Sequence, residues 1–245
     1  MSATQVLRFF PPTVRFLLWA VGFNLLILSV FRLAFWFAFR ASALAAPAED
    51  LLLSFYLGLK FDLRLLLLAC LPLLALAIVP LFNPARHPRV GRLWLGYFVV
   101  LQIIALLLYA VDFGHYGYVH TRLNAAIVEH LLPVSVSAQM AWESYPVVWG
   151  LALIALFAAL WYALLRKFAL PEFDRDAAPL RPWPKRGLAA ALVAIYALGI
   201  FGKWSWYPLR WSDAYFSTND FVAALALNPI LYLADTFDNR SRGFD

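Results

Sequence analysis

The chain has 245 residues, of which 64% are hydrophobic and only 14% charged, with a formal net charge of +6 and a mean hydropathy of +0.74. A soluble domain carries roughly a quarter charged residues, so these values exclude an ordinary soluble fold and predict an integral membrane protein. The cations alternate between loops instead of gathering on one polar face, which excludes nucleic acid as the partner and points to membrane topology.

Five segments are long enough to cross about 30 Å of hydrocarbon: residues 14–39, 51–82, 92–112, 145–167 and 187–203. The first follows Arg8 and Arg15, and Ala43-Leu44-Ala45 beyond it resembles a cleavage site. Its apolar stretch runs past the roughly 7–15 residues of a signal sequence, so it reads as an uncleaved anchor.

The second segment contains LGLKFDLR, with Lys60, Asp62 and Arg64 inside an otherwise apolar run. Leu51 to Phe82 as one helix would measure about 48 Å, more than the bilayer needs. The charges therefore fall towards the outer head-group boundary. Lys60 and Arg64 share a face, and Asp62 points nearly opposite, so it needs a partner from another helix. Arg32, at similar depth on the first segment, is expected to pair with it, because an unpaired charge there costs several kcal/mol. Lys60 and Arg64 then have two readings: cations snorkelling to the surface, or contacts for an anionic lipid phosphate. Cys70, the sole cysteine, excludes an internal disulfide and reads as a small buried hydrophobe.

After the third segment comes DFGHYGYVHTRLN. Asp112, His115, His120 and Glu129 match no strong metal-ligand spacing, so the stretch reads as an aromatic belt. Arg122 and Asn124 are assigned to a lipid head group or an adjoining domain. The loop after the fourth segment, PEFDRDAAPLRPWPKR, reads as a connector without site chemistry. Residues 187–203 are short and Ala-rich, a composition that suits a packed membrane helix. KWSWYPLRWSDAYF then forms an interfacial girdle. Ser217, Thr218, Asn219 and Asp220 offer N-caps for one short helix and Asn228-Pro229 for another. Both are expected to lie along the outer surface. Loops holding Arg86, Arg89 and Arg92, or Arg166, Lys167, Arg175, Arg181, Lys185 and Arg186, alternate with loops holding Arg40 alone or Arg122 alone. That pattern predicts a cytoplasmic N-terminus and an extracytoplasmic C-terminus.

The expected fold is therefore an all-α integral membrane protein: a five-transmembrane-helix bundle over residues 1–203, with extracytoplasmic interfacial helices over 204–245. LGLKFDLR, DFGHYGYVHTRLN, WESYP and YPLRWSDAYFSTNDFVAALALNPILYL occur in that order around the five segments. Together they resemble the membrane domain of bacterial lipoteichoic acid synthase-like phosphoglycerol transferases, of the sulfatase and alkaline phosphatase superfamily. The resemblance implies residence in the bacterial cytoplasmic membrane. It also implies a sulfatase-like catalytic domain in cis or trans, in which a divalent metal such as Mn or Mg activates a threonine. That threonine takes glycerophosphate from phosphatidylglycerol for a glycan or polymer.

That catalytic domain is expected to lie beyond Asp245, or on a separate chain. The chain itself is expected to be inactive, with no catalytic residue and no metal ligand assigned in it. Lys60, Arg64, Arg122 and Arg210 are the lipid-phosphate candidates. Arg32, Asp62, Asp213 and Asn228 are assigned to the polar framework. A small transporter or channel, and a purely structural anchor, are the alternatives.

Overall fold

The computed structural model describes residues 10–43, 46–84, 86–127, 139, 142–143, 147–173 and 182–241. Among these, the regular elements are seven α-helices and four short 3-10 turns, with no strand. The helices are α1 (Pro12–Phe39), α2 (Ala48–Ile78), α3 (Pro88–Val119), α4 (Val147–Phe168), α5 (Pro182–Phe201), α6 (Asp220–Ala226) and α7 (Pro229–Ser241). Proline opens α1, α3, α5 and α7, where the missing N–H would have had no helical partner and the fixed φ suits the first turn. Glu49 and Asp50 complement the positive end of α2, and Arg166 and Lys167 the negative end of α4.

Four helices among the described residues are long and apolar enough to cross a membrane, and their number and composition suggest a multi-pass membrane protein: Pro12–Ser42, Ala48–Ile78, Arg89–Val119 and Val147–Phe173. Large apolar side chains such as Leu26, Ile78 and Trp149 stand exposed along them, as on surfaces that meet a membrane or a partner. In α5 the apolar stretch covers only Ala189–Phe201.

Boundaries depart from the sequence reading where local chemistry intervenes. The second segment breaks at Val79 (ψ 122°), ahead of a Pro80–Phe82 turn, because the residue before proline is pushed out of the helical region. The third runs on through the polar aromatic stretch to Val119 and stops at His120, which adopts φ 57°.

Two compact units share these helices. The first comprises Met1–Val30, Leu59–Leu101 and Trp161–Leu209. In it Arg15, inside α1 and 1% exposed, pairs with Glu172 (Nε to Oε2, 3.4 Å) and donates to the Glu172 carbonyl at 3.1 Å. Phe16 stacks on Phe173 and meets Trp94 edge-on. Tyr97 donates to the Ala69 carbonyl at 2.8 Å and Tyr196 to that of Leu67. The connector after α4, expected to carry no site chemistry, thus contains a buried ion-pair residue, Glu172. Arg15 is buried, not a loop cation.

The second unit comprises Phe31–Gly58, Gln102–Leu160 and Arg210–Asp245. Its core is Phe35, Tyr116, Phe221, Ala224 and Leu225, with Trp36, Phe39, Leu51, Phe55 and Phe113 packed around it. Here the structure corrects one expectation. Asp220–Ala226 does not lie on a surface: residues 221–229 are all buried. FVAALAL has no polar face to offer water, and its alanines let neighbouring backbone and side chains approach closely. The bend between α6 and α7 is 101°.

Candidate functional site

The second unit is organised around the carbonyl end of α6. Asn219 begins the helix, its side-chain oxygen accepting from the Phe221 N–H at 2.9 Å. At the other end helical pairing runs out, leaving acceptors that carry the negative end of the helix dipole. Two arginines from distant parts of the chain meet them.

Arg32 on α1 donates through Nη1 to the Leu225 carbonyl and, at 3.3 Å, to that of Leu227. Its Nη2 donates to the Gly58 carbonyl at 3.0 Å. Gly58 is glycine for a steric reason: a Cβ there would overlap the Arg32 guanidinium. Arg122, just after α3, donates through Nε to the Ala224 carbonyl at 2.8 Å and through Nη1 to the Asp112 carboxylate. Its guanidinium carbon lies 3.7 Å from the centroid of the Phe35 ring. The other Asp112 oxygen accepts from the Leu123 N–H at 2.9 Å, so one carboxylate fixes both the arginine and the chain turning out of α3.

Asn228 sits at the bend. Its Oδ1 accepts from the Ile230 and Leu231 N–H groups at 3.0 and 3.1 Å, capping α7. Its Nδ2 donates to the Tyr109 hydroxyl at 3.2 Å, and the Tyr109 ring stacks on Phe31. Further along α7, Thr236 Oγ1 accepts from the Ala125 N–H at 3.0 Å, and Arg240 donates to the Ala125 carbonyl at 3.3 Å. The stretch after α3 is therefore bonded to both α6 and α7. Asn219 Nδ2 also donates to the Ser42 carbonyl beyond α1 at 3.3 Å. Trp211 meets Tyr215 and Tyr232 edge-on.

The residues singled out from the sequence fall into distinct settings. Arg32, Asp112, Arg122 and Asn228 are all buried and gathered at α6. Arg122, read as a lipid-phosphate contact, is 3% exposed and is engaged by a carboxylate, a carbonyl and a ring inside the protein. Asp213 accepts from the Arg210 N–H at 2.8 Å, and Arg210 itself is exposed. In the first unit Asp62 is fully buried. Lys60 and Arg64 are partly exposed, and Arg64 donates through Nη1 to the Leu209 carbonyl.

The sequence reading missed Asp112 as the partner of Arg122, because the two lie ten residues apart across a helix end, where no helical spacing links them. It missed Arg15 with Glu172 because 157 residues separate them. Among the described residues no group of three or more His, Cys, Asp or Glu side chains is placed to hold a metal ion. Chemically, the α6 arrangement is a clamp: charged donors hold a buried segment by the carbonyls of Ala224, Leu225 and Leu227. Comparison with family models, with curated proteins and with solved structures finds no match.

Proposed function

We propose that this chain is the membrane module of a phosphoglycerol transferase-like system, anchoring a sulfatase-like catalytic domain in cis or trans and presenting phosphatidylglycerol to it. The observation that carries the reading is the immobilised segment from Trp211 to Ser241. A passive anchor has no need of two buried arginines, a buried carboxylate and a capped bend to fix the chain that follows its spans. A module that holds a reacting lipid in register with a catalytic domain does, since reactive geometry depends on positioning.

In this reading α5 is a fifth span, the N-terminus is cytoplasmic and the C-terminal segment extracytoplasmic, in a bacterial cytoplasmic membrane. Charge supports the orientation. Loops that hold Arg40 alone or Arg122 alone alternate with loops rich in Lys and Arg, as expected when the cation-rich loops face the cytoplasm. Of the four phosphate candidates, Arg122 is buried at 3% exposure, whereas Arg210 is exposed and Lys60 partly exposed, and that accessibility is why Lys60 and Arg210 are taken as the contacts for the acidic head group. The divalent metal belongs to the catalytic partner.

The test is lipid retention by the purified full chain, measured by native mass spectrometry with phosphatidylglycerol against phosphatidylcholine. Each cation near a membrane surface contributes about 1 kcal/mol towards anionic lipid. Lys60→Gln and Arg210→Gln should therefore each weaken phosphatidylglycerol retention about fivefold and leave phosphatidylcholine unaffected. Unchanged retention in both variants would leave a structural anchor as the better account.

A further inference from the structure

Between α5 and the second unit runs GKWSWYPL, residues 202–209, and its two ends are tied together inside the first unit. Gly202 adopts φ 78° and donates to the Leu198 carbonyl at 2.8 Å, ending α5 with a left-handed residue. The Leu209 N–H returns to the Phe201 carbonyl at 2.8 Å, closing the loop. Leu209 is 1% exposed, and its carbonyl accepts from Arg64 Nη1. A side chain at position 202 would collide with Leu209. The root of the loop is thus glycine-dependent, backbone-paired and held by an arginine from α2.

The tip is the reverse. Trp204 is 92% exposed, Trp206 97% and Tyr207 62%, beside Lys203. Two nearly bare indoles on a loop with a fixed root are an unusual use of the largest side chain, whose apolar face normally finds cover while its N–H finds a polar partner. The loop emerges directly from the apolar stretch Ala189–Phe201, so in a spanning chain its root sits where hydrocarbon gives way to head groups. There an indole is covered on its face and satisfied at its N–H, and a neighbouring cation meets lipid phosphate.

We propose that the 202–209 loop is a lipid-interface insertion site, in which Trp204 and Trp206 enter the head-group layer of an anionic bilayer and Arg64 is the positioning residue that holds the root. The proposal rests on the reading of the chain as a membrane module. It reassigns Arg64 from lipid ligand to loop support.

The experiment uses the full chain, with Cys70→Ala, reconstituted in vesicles of phosphatidylcholine and phosphatidylglycerol. A polarity-sensitive fluorophore is attached at Trp204→Cys, at Trp206→Cys or, as a reference in α4, at Leu153→Cys. The loop labels should shift to the blue and be quenched more by nitroxide lipids labelled near the ester carbonyls than by those labelled near the chain ends. The Leu153 label should show the opposite order. A Leu153 label untouched by either lipid means that the chain does not cross the bilayer, which overturns the underlying reading. With Leu153 behaving as stated, loop labels reached by aqueous iodide but not by nitroxide lipid overturn the insertion site. Loop labels shielded from both quenchers mean a protein surface covers the tip, and also overturn it.

Arg64→Ala should abolish the shallow quenching at Trp204→Cys while leaving Leu153 unchanged, and Arg64→Lys, which keeps a donor, should restore part of it. Quenching unaffected by Arg64→Ala removes the positioning role. If Arg64→Ala disturbs Leu153 as well, Gly202→Ala, which strains the same root, supplies the comparison.

Discussion

Arg122→Ala is expected to lower the stability of the chain by about 3–5 kcal/mol, the range for breaking a buried ion pair from one side. The cost has three sources. Asp112 is fully buried and, among the described residues, would keep only the Leu123 N–H as a donor. The Ala224 carbonyl would lose its donor at the end of α6, and Phe35 would lose the cation over its ring. Asp112→Asn should also be costly, because an amide oxygen that accepts from Leu123 leaves an NH2 group facing the Arg122 donor and the guanidinium without its counter-ion. Replacing both residues with leucine should recover much of the loss, since the desolvation of two charges is then avoided. Equilibrium unfolding in mixed micelles checks the order. An Arg122→Ala midpoint indistinguishable from the parent would mean that the pair does not hold α6.

Gly58→Ala should cost about 3 kcal/mol by a different route. The new methyl group occupies the space of the Arg32 guanidinium, which has to leave the carbonyls of Leu225, Leu227 and Gly58. A buried acceptor left without its donor costs about 1–3 kcal/mol. A flexible arginine can relieve part of the strain, but it cannot relieve the acceptors it abandons. The decisive measurement is a double-mutant cycle with Arg32→Ala. If Gly58 matters only through Arg32, the double variant should be no less stable than Arg32→Ala alone, giving strong non-additivity. Simple addition of the two effects would show that Gly58 is required for some other reason.

Length and apolar composition made the long helices legible. Pro12, Pro88, Pro182 and Pro229 mark four helix starts, and the first and fourth segments match their helices to within a few residues. The end of α3 was harder, because Asp112, His115 and Tyr116 look like loop chemistry until Asp112 is seen to be satisfied by Leu123 and Arg122. The setting of α6 was not legible at all. Its N-cap is visible in Asn219, as that of α7 is in Asn228, and a cap fits a surface helix as well as a buried one. What distinguishes the two is a pair of arginine donors to backbone carbonyls, and a carbonyl has no signature in a sequence. For the same reason Arg64 and Arg122 read as lipid ligands. An arginine near a bilayer edge without a local acid resembles a phosphate contact until the backbone that it serves is known.

The wide separation of these partners has a consequence for how the protein is made. Leu225 is synthesised 193 residues after Arg32 and Ala224 102 residues after Arg122, so both guanidinium groups exist long before their carbonyl acceptors do. In the meantime temporary partners must serve them, because a charge left without one is costly. Arrival of FVAALALN displaces those temporary partners, which makes its docking the step that consolidates the second unit. A nascent chain halted before Phe221 should remain open to protease between Arg122 and Ala125, and should close only when that stretch has been added.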